Sequence, residues 1–158
     1  MFKPLIMENN SYLTAITRTN LSVPSQSLLT KKLIVGRVLD YGCGKGFDVK
    51  YLKQRGFDIE GYDPHFFPQK PHGLFDTIIC NYVINVVEEE YEHLIIDEIK
   101  SFLSENGIAY ITVRRDVKVE GYRKKGNGIT YQRNVILNFD ILEENNKYCI
   151  YIISNDGK

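Results

Sequence analysis

The sequence has few cysteines, and they stand far apart. Its 158 residues include only Cys43, Cys80 and Cys149. No C-x-x-C pair occurs, and no cysteine lies at metal-ligand spacing from a histidine. These spacings argue against a disulfide scaffold and against a metal site. We therefore expect reduced, mostly buried thiols in a cytoplasmic protein.

Long apolar runs and a charge excess are also missing. No apolar run approaches the ~20 residues that a membrane-spanning helix needs, and no signal-peptide pattern begins the chain. Lys and Arg total 20, as do Asp and Glu, so the formal net charge is zero. We expect no membrane partner, and only a local charge cluster could recognise nucleic acid. The length fits one domain over residues 1–158, whose oligomeric state the sequence leaves open.

What the sequence does contain is a glycine turn between a strand pattern and a helix pattern. An apolar, β-forming segment at residues 37–41 is followed by three alternating glycines, Gly42, Gly44 and Gly46. Residues 47–56 can then form a helix. Strand, glycine turn and helix make up the first half of a doubly wound nucleotide-binding fold. Glycine suits the turn because it reaches positive φ easily and lets a ligand approach the backbone.

Two related nucleotide-binding motifs fit this turn less well. In a dinucleotide site, G-x-G-x-x-G, the first two glycines match but the third glycine position holds Phe47. A phosphate-binding P-loop is excluded, because four residues do not separate the outer glycines and no Gly-Lys-Ser or Gly-Lys-Thr follows. A purely structural turn remains the alternative.

Hydrophobic periodicity predicts alternating helices and strands along the rest of the chain. We expect one helix capped by Ser25, with Leu28, Leu29 and Leu33 facing inward, and another over residues 89–105. Strands are expected at residues 37–41, 57–62, 76–81, 108–113, 134–139 and 148–154.

These elements predict an α/β fold, doubly wound and Rossmann-like, with a mostly parallel sheet. Residues 65–75 are proline-rich and leave no room for a full helix and strand, so the sheet should be shortened between its second and fourth strands. Residues 134–154 should form an antiparallel C-terminal hairpin. Within the single domain we expect an N-terminal arm at 1–24 and a cofactor-binding core at 37–114.

Three polar residues follow predicted strands where ligands are expected. Asp63 lies about twenty residues past the glycines, the distance at which this architecture places an acid for ribose hydroxyls. Asn81 and Tyr82 end a strand that should be buried on both faces. Because ligands sit outside the carboxyl ends of the strands, we expect Asn81 and Tyr82 at the reaction centre.

Residues 115–133 form a segment that is unusually basic and rich in glycine. Tyrosines lie among its cations, and we expect a basic loop that clamps a phosphate-bearing substrate such as nucleic acid. The alternative is a solvated loop that keeps an edge soluble. The candidate substrate-binding residues are Arg114, Arg115, Arg123, Lys124 and Lys125.

The glycine stretch closely resembles motif I of class I S-adenosylmethionine-dependent methyltransferases, (V/L)LD-x-G-x-G-x-G. Further matching blocks in the same order are Asp63, residues 75–87 and the strand beginning at Gly107. The resemblance covers residues 37–114 and implies S-adenosylmethionine as cofactor. It also implies these cofactor-binding residues: Asp40, Tyr41, Gly42, Cys43, Gly44, Gly46, Asp63, Asn81 and, in the arm, Arg18.

More narrowly, the chain resembles methyltransferases associated with DNA phosphorothioation systems. The matching blocks are Thr-Ala-x-x-Arg-x-x-Leu-Ser-x-Pro in the arm at 14–24, the glycine turn, Tyr62-Asp63-Pro64 and residues 82–86. The arm block suggests that Arg18 folds over the cofactor and pairs with its methionine carboxylate.

The residues around the end of the strand at 76–81 narrow the kind of methyl transfer. A cytosine-C5 methyltransferase needs a nucleophilic cysteine, normally after proline, whereas Cys80 follows Ile79 inside a strand. Amino methylation of bases typically uses (Asn/Asp/Ser)-Pro-Pro-(Tyr/Phe), and here Asn81 is followed by Tyr82 without the prolines. We therefore expect transfer to an unassigned acceptor, with Asn81 and Tyr82 beside it. The alternative is a non-catalytic binding protein of the same fold.

Overall fold

The computed structural model describes residues 9–155 as an α/β domain. Its elements follow the chain in this order: α1 (Val23–Thr30), β1 (Arg37–Tyr41), α2 (Phe47–Gln54), β2 (Asp58–Tyr62), β3 (Phe75–Asn81), α3 (Glu92–Ser101), β4 (Leu103–Arg114), β5 (Gly121–Lys125), β6 (Gly128–Gln132), β7 (Asp140–Glu144) and β8 (Tyr148–Ser154). Short 3-10 turns lie at Ser11–Thr14, Ile84–Val86 and Glu89–Tyr91.

Six strands form one mixed sheet in the order β2-β1-β3-β4-β8-β7. β2, β1, β3 and β4 are parallel, and β8 runs antiparallel to both β4 and β7. Between β2 and β3 the described chain adds no strand to the sheet. The predicted doubly wound fold, its shortened edge and its antiparallel C-terminal hairpin are therefore confirmed.

The central strands are buried on both faces, which separates two hydrophobic cores. Successive residues of a strand point to opposite sides. Ile78 accordingly joins the core beneath α3, and Ile79 joins the core beneath α1 and α2. Helix residues Ile99 and Leu52 fill these cores from either side. This layering holds the carboxyl ends of β1, β2 and β3 at one edge. Among the described residues, no helix has the length and apolarity to cross a membrane.

Two helix predictions were wrong in their bounds. α1 begins at Val23 after Ser22, not after Ser25, and it ends at Thr30. The predicted helix at 89–105 ends at Ser101, because Leu103 pairs with Phe75 and starts β4. The apolar spacing continues through Leu103, but strand pairing overrides it.

Two C-terminal predictions were also wrong. Residues 121–132 form a two-stranded hairpin, β5–β6, and not a loop. Residues 134–139 alternate between buried and exposed like a strand, but the amide of Leu137 donates to the hydroxyl of Tyr151 and joins no ladder. The strand that pairs with β8 is β7, which begins at Asp140.

Candidate active site

A cavity of about 1070 Å³ opens at the carboxyl ends of the parallel strands. Asp40 and Tyr41 reach it from β1, Asp63 from the end of β2, and Asn81 and Tyr82 from the end of β3. Because these strands are neighbours in the sheet, residues distant in sequence meet at one place. The structure thus brings the predicted cofactor-binding and catalytic residues into one cavity.

The glycine turn has the backbone conformation that its sequence predicts. Gly42, Gly44 and Gly46 have φ values of +77°, +56° and +84°. The amide of Gly42 donates to the carbonyl of Tyr62 at 2.7 Å. A Cβ on Gly42 would lie 2.2 Å from Val83, whereas one on Gly44 would approach only Ala15, at 3.5 Å. Gly42 is therefore needed for packing, while Gly44 leaves open space towards the cavity.

Asp63 fastens the end of β2 to this turn. Its Oδ2 accepts a hydrogen bond from the Gly44 amide at 3.0 Å, and its Oδ1 accepts from the amides of His65 and Phe66. A carboxylate offers about four lone-pair sites. Asp63 therefore keeps one site on Oδ2 for a ligand, and a second becomes available if the Gly44 amide turns away.

Asp40 is a buried carboxyl in the wall of the cavity. Burial raises the pKa of Asp40 well above its usual range, and the charges of Asp48 and Asp63 raise it further. The nearby cation Arg18 opposes this rise in the pKa of Asp40. Burial also raises the pKa of Tyr82, and Arg18 opposes that rise as well. Arg18 therefore lies close enough to both groups to act on them, in the same cavity.

A hydrogen-bond network that the sequence did not reveal holds the arm in place. Both oxygens of the Asp48 carboxylate accept from Ser22, one from its amide and one from its hydroxyl. The Asn81 amide group donates to the hydroxyls of Ser22 and Ser25. Because Ser22 Oγ donates to Asp48, it must accept from Asn81, which fixes the Asn81 amide. Asn81 Oδ1 is then buried without a hydrogen-bond partner in the described chain.

The predicted arm covers one side of the cavity. Residues 1–8 lie outside the described residues, but from Asn9 onward the arm lines the cavity and includes a 3-10 turn. The ring of Tyr12 stacks on His65, with centroids 3.8 Å apart. The arm thus packs against the loop that comes after Asp63.

Three residues at the ends of β1 and β3 differ in what their side chains offer. Tyr82 has φ +61°, which is strained for a residue other than glycine and typical of functional sites. Tyr41 reaches the cavity, but its hydroxyl donates to Glu98 at 2.6 Å. Burial raises the pKa of the Cys80 thiol, so Cys80 is a poor nucleophile, as its sequence context indicates.

Cys43 also lines the cavity through the glycine turn, and burial raises the pKa of its thiol. A Cβ on Gly61 would lie 2.7 Å from Cys43 Sγ, so this side chain packs closely over β2. Its backbone, rather than its thiol, is what Cys43 offers to a ligand.

Of the five basic residues predicted to bind substrate, only Arg114 lines the cavity, where it pairs with Asp116 at 2.8 Å. Arg115 points elsewhere, because its guanidinium donates to Glu144 and to the hydroxyl of Tyr151. The cations on β5 are exposed and lie outside the cavity lining: Arg123, Lys124 and Lys125.

Comparisons with solved structures support this arrangement at the level of the fold. The chain is similar to 1,6-didemethyltoxoflavin-N1-methyltransferase of Burkholderia thailandensis (15% identity, TM-score 0.59, covering 84% of this chain and 76% of that one). It is similar to magnesium protoporphyrin IX methyltransferase of Synechocystis PCC 6803 (15%, TM-score 0.56, 91% of each chain). It also resembles TehB of Haemophilus influenzae (16%, TM-score 0.60), with 85% of this chain covering 62% of TehB.

No curated protein matches the chain by sequence. A family described as methyltransferase domain does match, over residues 16–147. That match spans the arm from Ile16, the glycine turn, Asp63 and the whole parallel sheet. The chain therefore belongs to the methyltransferase domain family.

Proposed function

We propose that this methyltransferase uses S-adenosylmethionine as its methyl donor and transfers the methyl group to a small molecule held in the same cavity. One observation carries the proposal: Arg18, Asp40, Asp63 and the orphaned Asn81 Oδ1 all belong to one cavity behind the glycine turn. These groups differ in charge and in hydrogen-bonding character, and each matches a different part of the methyl donor.

The residues fit S-adenosylmethionine group by group. The Arg18 cation would bind the methionine carboxylate, while Asp40 and Asn81 Oδ1 would accept hydrogen bonds from the ammonium group. Asp63 would accept from the ribose through its free Oδ2 site. The bound cofactor supplies a methyl group on a sulfonium, which is already a good leaving group.

The chain's own residues then have to align the reactants and exclude water. Tyr82 follows the end of β3, where the acceptor would approach, so we assign Tyr82 to positioning the acceptor. Asn81, which was also predicted there, has its amide nitrogen committed to Ser22 and Ser25, and we assign its Oδ1 to the methyl donor. In the described chain, no His, Cys, Asp or Glu cluster could hold a metal ion. Alignment by the cavity walls is therefore the contribution that these residues make.

The size of the cavity supports a small-molecule acceptor. Ligand sites usually occupy about 300–1000 Å³, and the volume of this cavity, about 1070 Å³, is just above that range. It has room for a methyl donor and for a second compound beside it. Two of the structurally similar methyltransferases also carry small molecules in their names, didemethyltoxoflavin and magnesium protoporphyrin IX.

Nucleic acid is the second candidate acceptor, and it rests on the β5–β6 hairpin. Arg123, Lys124 and Lys125 are exposed there, and no ion pair joins them to an acid within residues 9–155. If the hairpin binds phosphates, its affinity for nucleic acid should fall as the salt concentration rises. A plot of the logarithm of the association constant against the logarithm of the salt concentration should have a slope of about −0.9 for each phosphate neutralised on duplex DNA. Alanine at all three positions should flatten that slope by up to about three such units.

One experiment separates the two acceptors. The protein is incubated with methyl-labelled S-adenosylmethionine and, separately, with a small-molecule cell extract, duplex DNA and RNA. We expect label in a small-molecule product, with none from a Gly44→Val variant. Label in DNA or RNA would favour the second candidate, and no label in any sample would contradict methyl transfer.

A further inference from the structure

A wall of buried polar side chains lies away from the glycine turn, between the arm and the segment after β3. We call Asn9, Asn85 and Glu88 the polar wall. Asn9 and Asn85 line the cavity, and Glu88 is hydrogen-bonded to Asn9 next to it. The Asn9 amide donates to Glu88 Oε1 at 2.7 Å and to the carbonyl of Val86 at 3.1 Å. The hydroxyl of Tyr122 also donates to Glu88 Oε1, at 3.3 Å.

Each residue of the polar wall has one buried oxygen that lacks a hydrogen-bond donor. Within the described chain these atoms are Asn9 Oδ1, Asn85 Oδ1 and Glu88 Oε2. The residues are only 3%, 1% and 5% exposed. Because the Asn9 amide nitrogen already has two acceptors, its orientation is fixed and Oδ1 is the free atom. Buried polar atoms are normally paired, so three unpaired oxygens at one wall indicate missing donors.

Two donor groups beside the polar wall are already committed within residues 9–155. The Arg133 guanidinium donates to the carbonyl of Val87 at 3.0 Å and to Glu92 at 2.8 Å. The Asn85 amide nitrogen donates to Gln132 at 3.1 Å. No ion pair reaches Glu88 from any described cation. A buried carboxylate without a cation is costly, so the missing partner should be positively charged or rich in N–H groups.

We propose that the polar wall binds the methyl acceptor, and that this acceptor presents an amidine, guanidine or amino-heterocycle group with at least two N–H bonds. Two N–H bonds from one planar group can reach two oxygen acceptors at once, which gives orientation as well as affinity. The identification of this ligand as the methyl acceptor rests on the proposed function. The preference for N–H donors rests on the polar wall alone.

The structure offers an isosteric variant that tests the preference. In Glu88→Gln, an amide oxygen can keep the hydrogen bond from Asn9, while an NH₂ group replaces the unpaired Oε2. The variant therefore turns one acceptor into a donor and removes the charge. Glu89→Gln is the matched control, because Glu89 is the next residue, carries the same charge and is exposed.

The probe is benzamidine, with benzoate as its counterpart of similar shape and opposite charge. Both are titrated by NMR into protein with and without an excess of S-adenosylhomocysteine, and the melting temperature of each variant is recorded. We expect benzamidine to bind wild-type protein and the Glu89→Gln variant alike, and to bind Glu88→Gln at least about tenfold more weakly. Benzoate should not bind this wall.

Three results would overturn the proposal. Benzamidine could bind Glu88→Gln and wild type with equal affinity, it could fail to bind wild type, or benzoate could bind as tightly as benzamidine. Affinity for S-adenosylhomocysteine is measured in the same samples. If that affinity is absent while benzamidine still responds to Glu88→Gln, the proposed function fails and the donor preference of the polar wall stands.

Discussion

Ser22 and Asp48 are joined by two hydrogen bonds although 26 residues separate them. The amide of Ser22 donates to one carboxylate oxygen of Asp48 at 3.0 Å, and its hydroxyl donates to the other. Ser22 precedes α1, and Asp48 lies in the first turn of α2, directly after the glycine turn. The pair therefore ties the N-terminal arm to the turn that we assign to the methyl donor.

Replacing Asp48 with asparagine should weaken this tie. A hydrogen bond to a charged group contributes about 1.5–3 kcal/mol, and asparagine can accept from only one of the two Ser22 groups. We expect a loss of about 2 kcal/mol in the free energy of unfolding, measured by urea denaturation. Asp58→Asn, at an exposed position on β2, is the control. Equal stability of the two variants would show that the tie is unimportant.

The first two glycines of the turn should respond differently to alanine. Both have positive φ, which costs about 1–2 kcal/mol for a residue with a Cβ. At Gly42 the new Cβ would also collide with Val83, and such overpacking adds about 1–3 kcal/mol. Thermal unfolding should therefore show Gly42→Ala to be the less stable variant. Gly44→Ala should instead lose more cofactor affinity than its stability change explains. The reverse order of stabilities would refute this reading of the turn.

Asp40 should make binding of a cationic ligand depend on pH. Its raised pKa means that the folded state holds this proton more tightly than the unfolded chain. Its contribution to stability is therefore lost as pH rises from the usual value of 3.8 towards the raised pKa. A cation bound nearby favours the ionised form of the Asp40 carboxyl group. Binding of S-adenosylmethionine should therefore release a proton from Asp40, and its affinity should increase as pH rises through this interval.

Calorimetry in two buffers with different ionisation enthalpies measures that proton release. Asp40→Asn should abolish it and should flatten the dependence of affinity on pH. An unchanged proton release in Asp40→Asn would assign the titrating group elsewhere.

The parts of the site that could be predicted from sequence are those encoded locally. Gly42, Gly44 and Gly46 need special backbone angles, and Asp63 follows at a fixed spacing, so both are visible in the chain. The partners Ser22 and Asp48 carry no local signal, because they meet only when the arm folds back over α2. Asn9 and Glu88 are likewise 79 residues apart and meet only in the folded chain.

Errors in the predicted elements arose where tertiary contacts override local periodicity. Leu103 continues the apolar stripe of α3, yet it leaves the helix to pair with Phe75. Val135 and Leu137 alternate with exposed Ile136 as in a strand. The amide of Val135 donates to the carbonyl of Arg114 and that of Leu137 to the hydroxyl of Tyr151, so within residues 9–155 the segment forms no strand ladder. In both cases the sequence correctly predicts which side chains are buried, but it does not show which groups the backbone amides and carbonyls bond to.

The central claim is that the glycine turn and Asp63 bind the methyl donor. Asp63→Asn offers the most direct test. The asparagine Oδ1 can still accept the hydrogen bonds from the amides of His65 and Phe66, while an NH₂ group replaces the carboxylate oxygen that faces the ligand. Asp63→Ala would also remove the hydrogen bonds of those two amides and so lower stability. A loss of affinity in that variant must therefore be compared with its change in melting temperature. Asp58→Asn again serves as the control.

The measurement is a calorimetric titration of each protein with S-adenosylhomocysteine. Wild-type protein and Asp58→Asn should bind one equivalent with the same affinity. Asp63→Asn should bind at least about tenfold more weakly, since it loses a hydrogen bond to a charged group. Absence of binding by the wild-type protein, or an undiminished affinity in Asp63→Asn, would contradict the account.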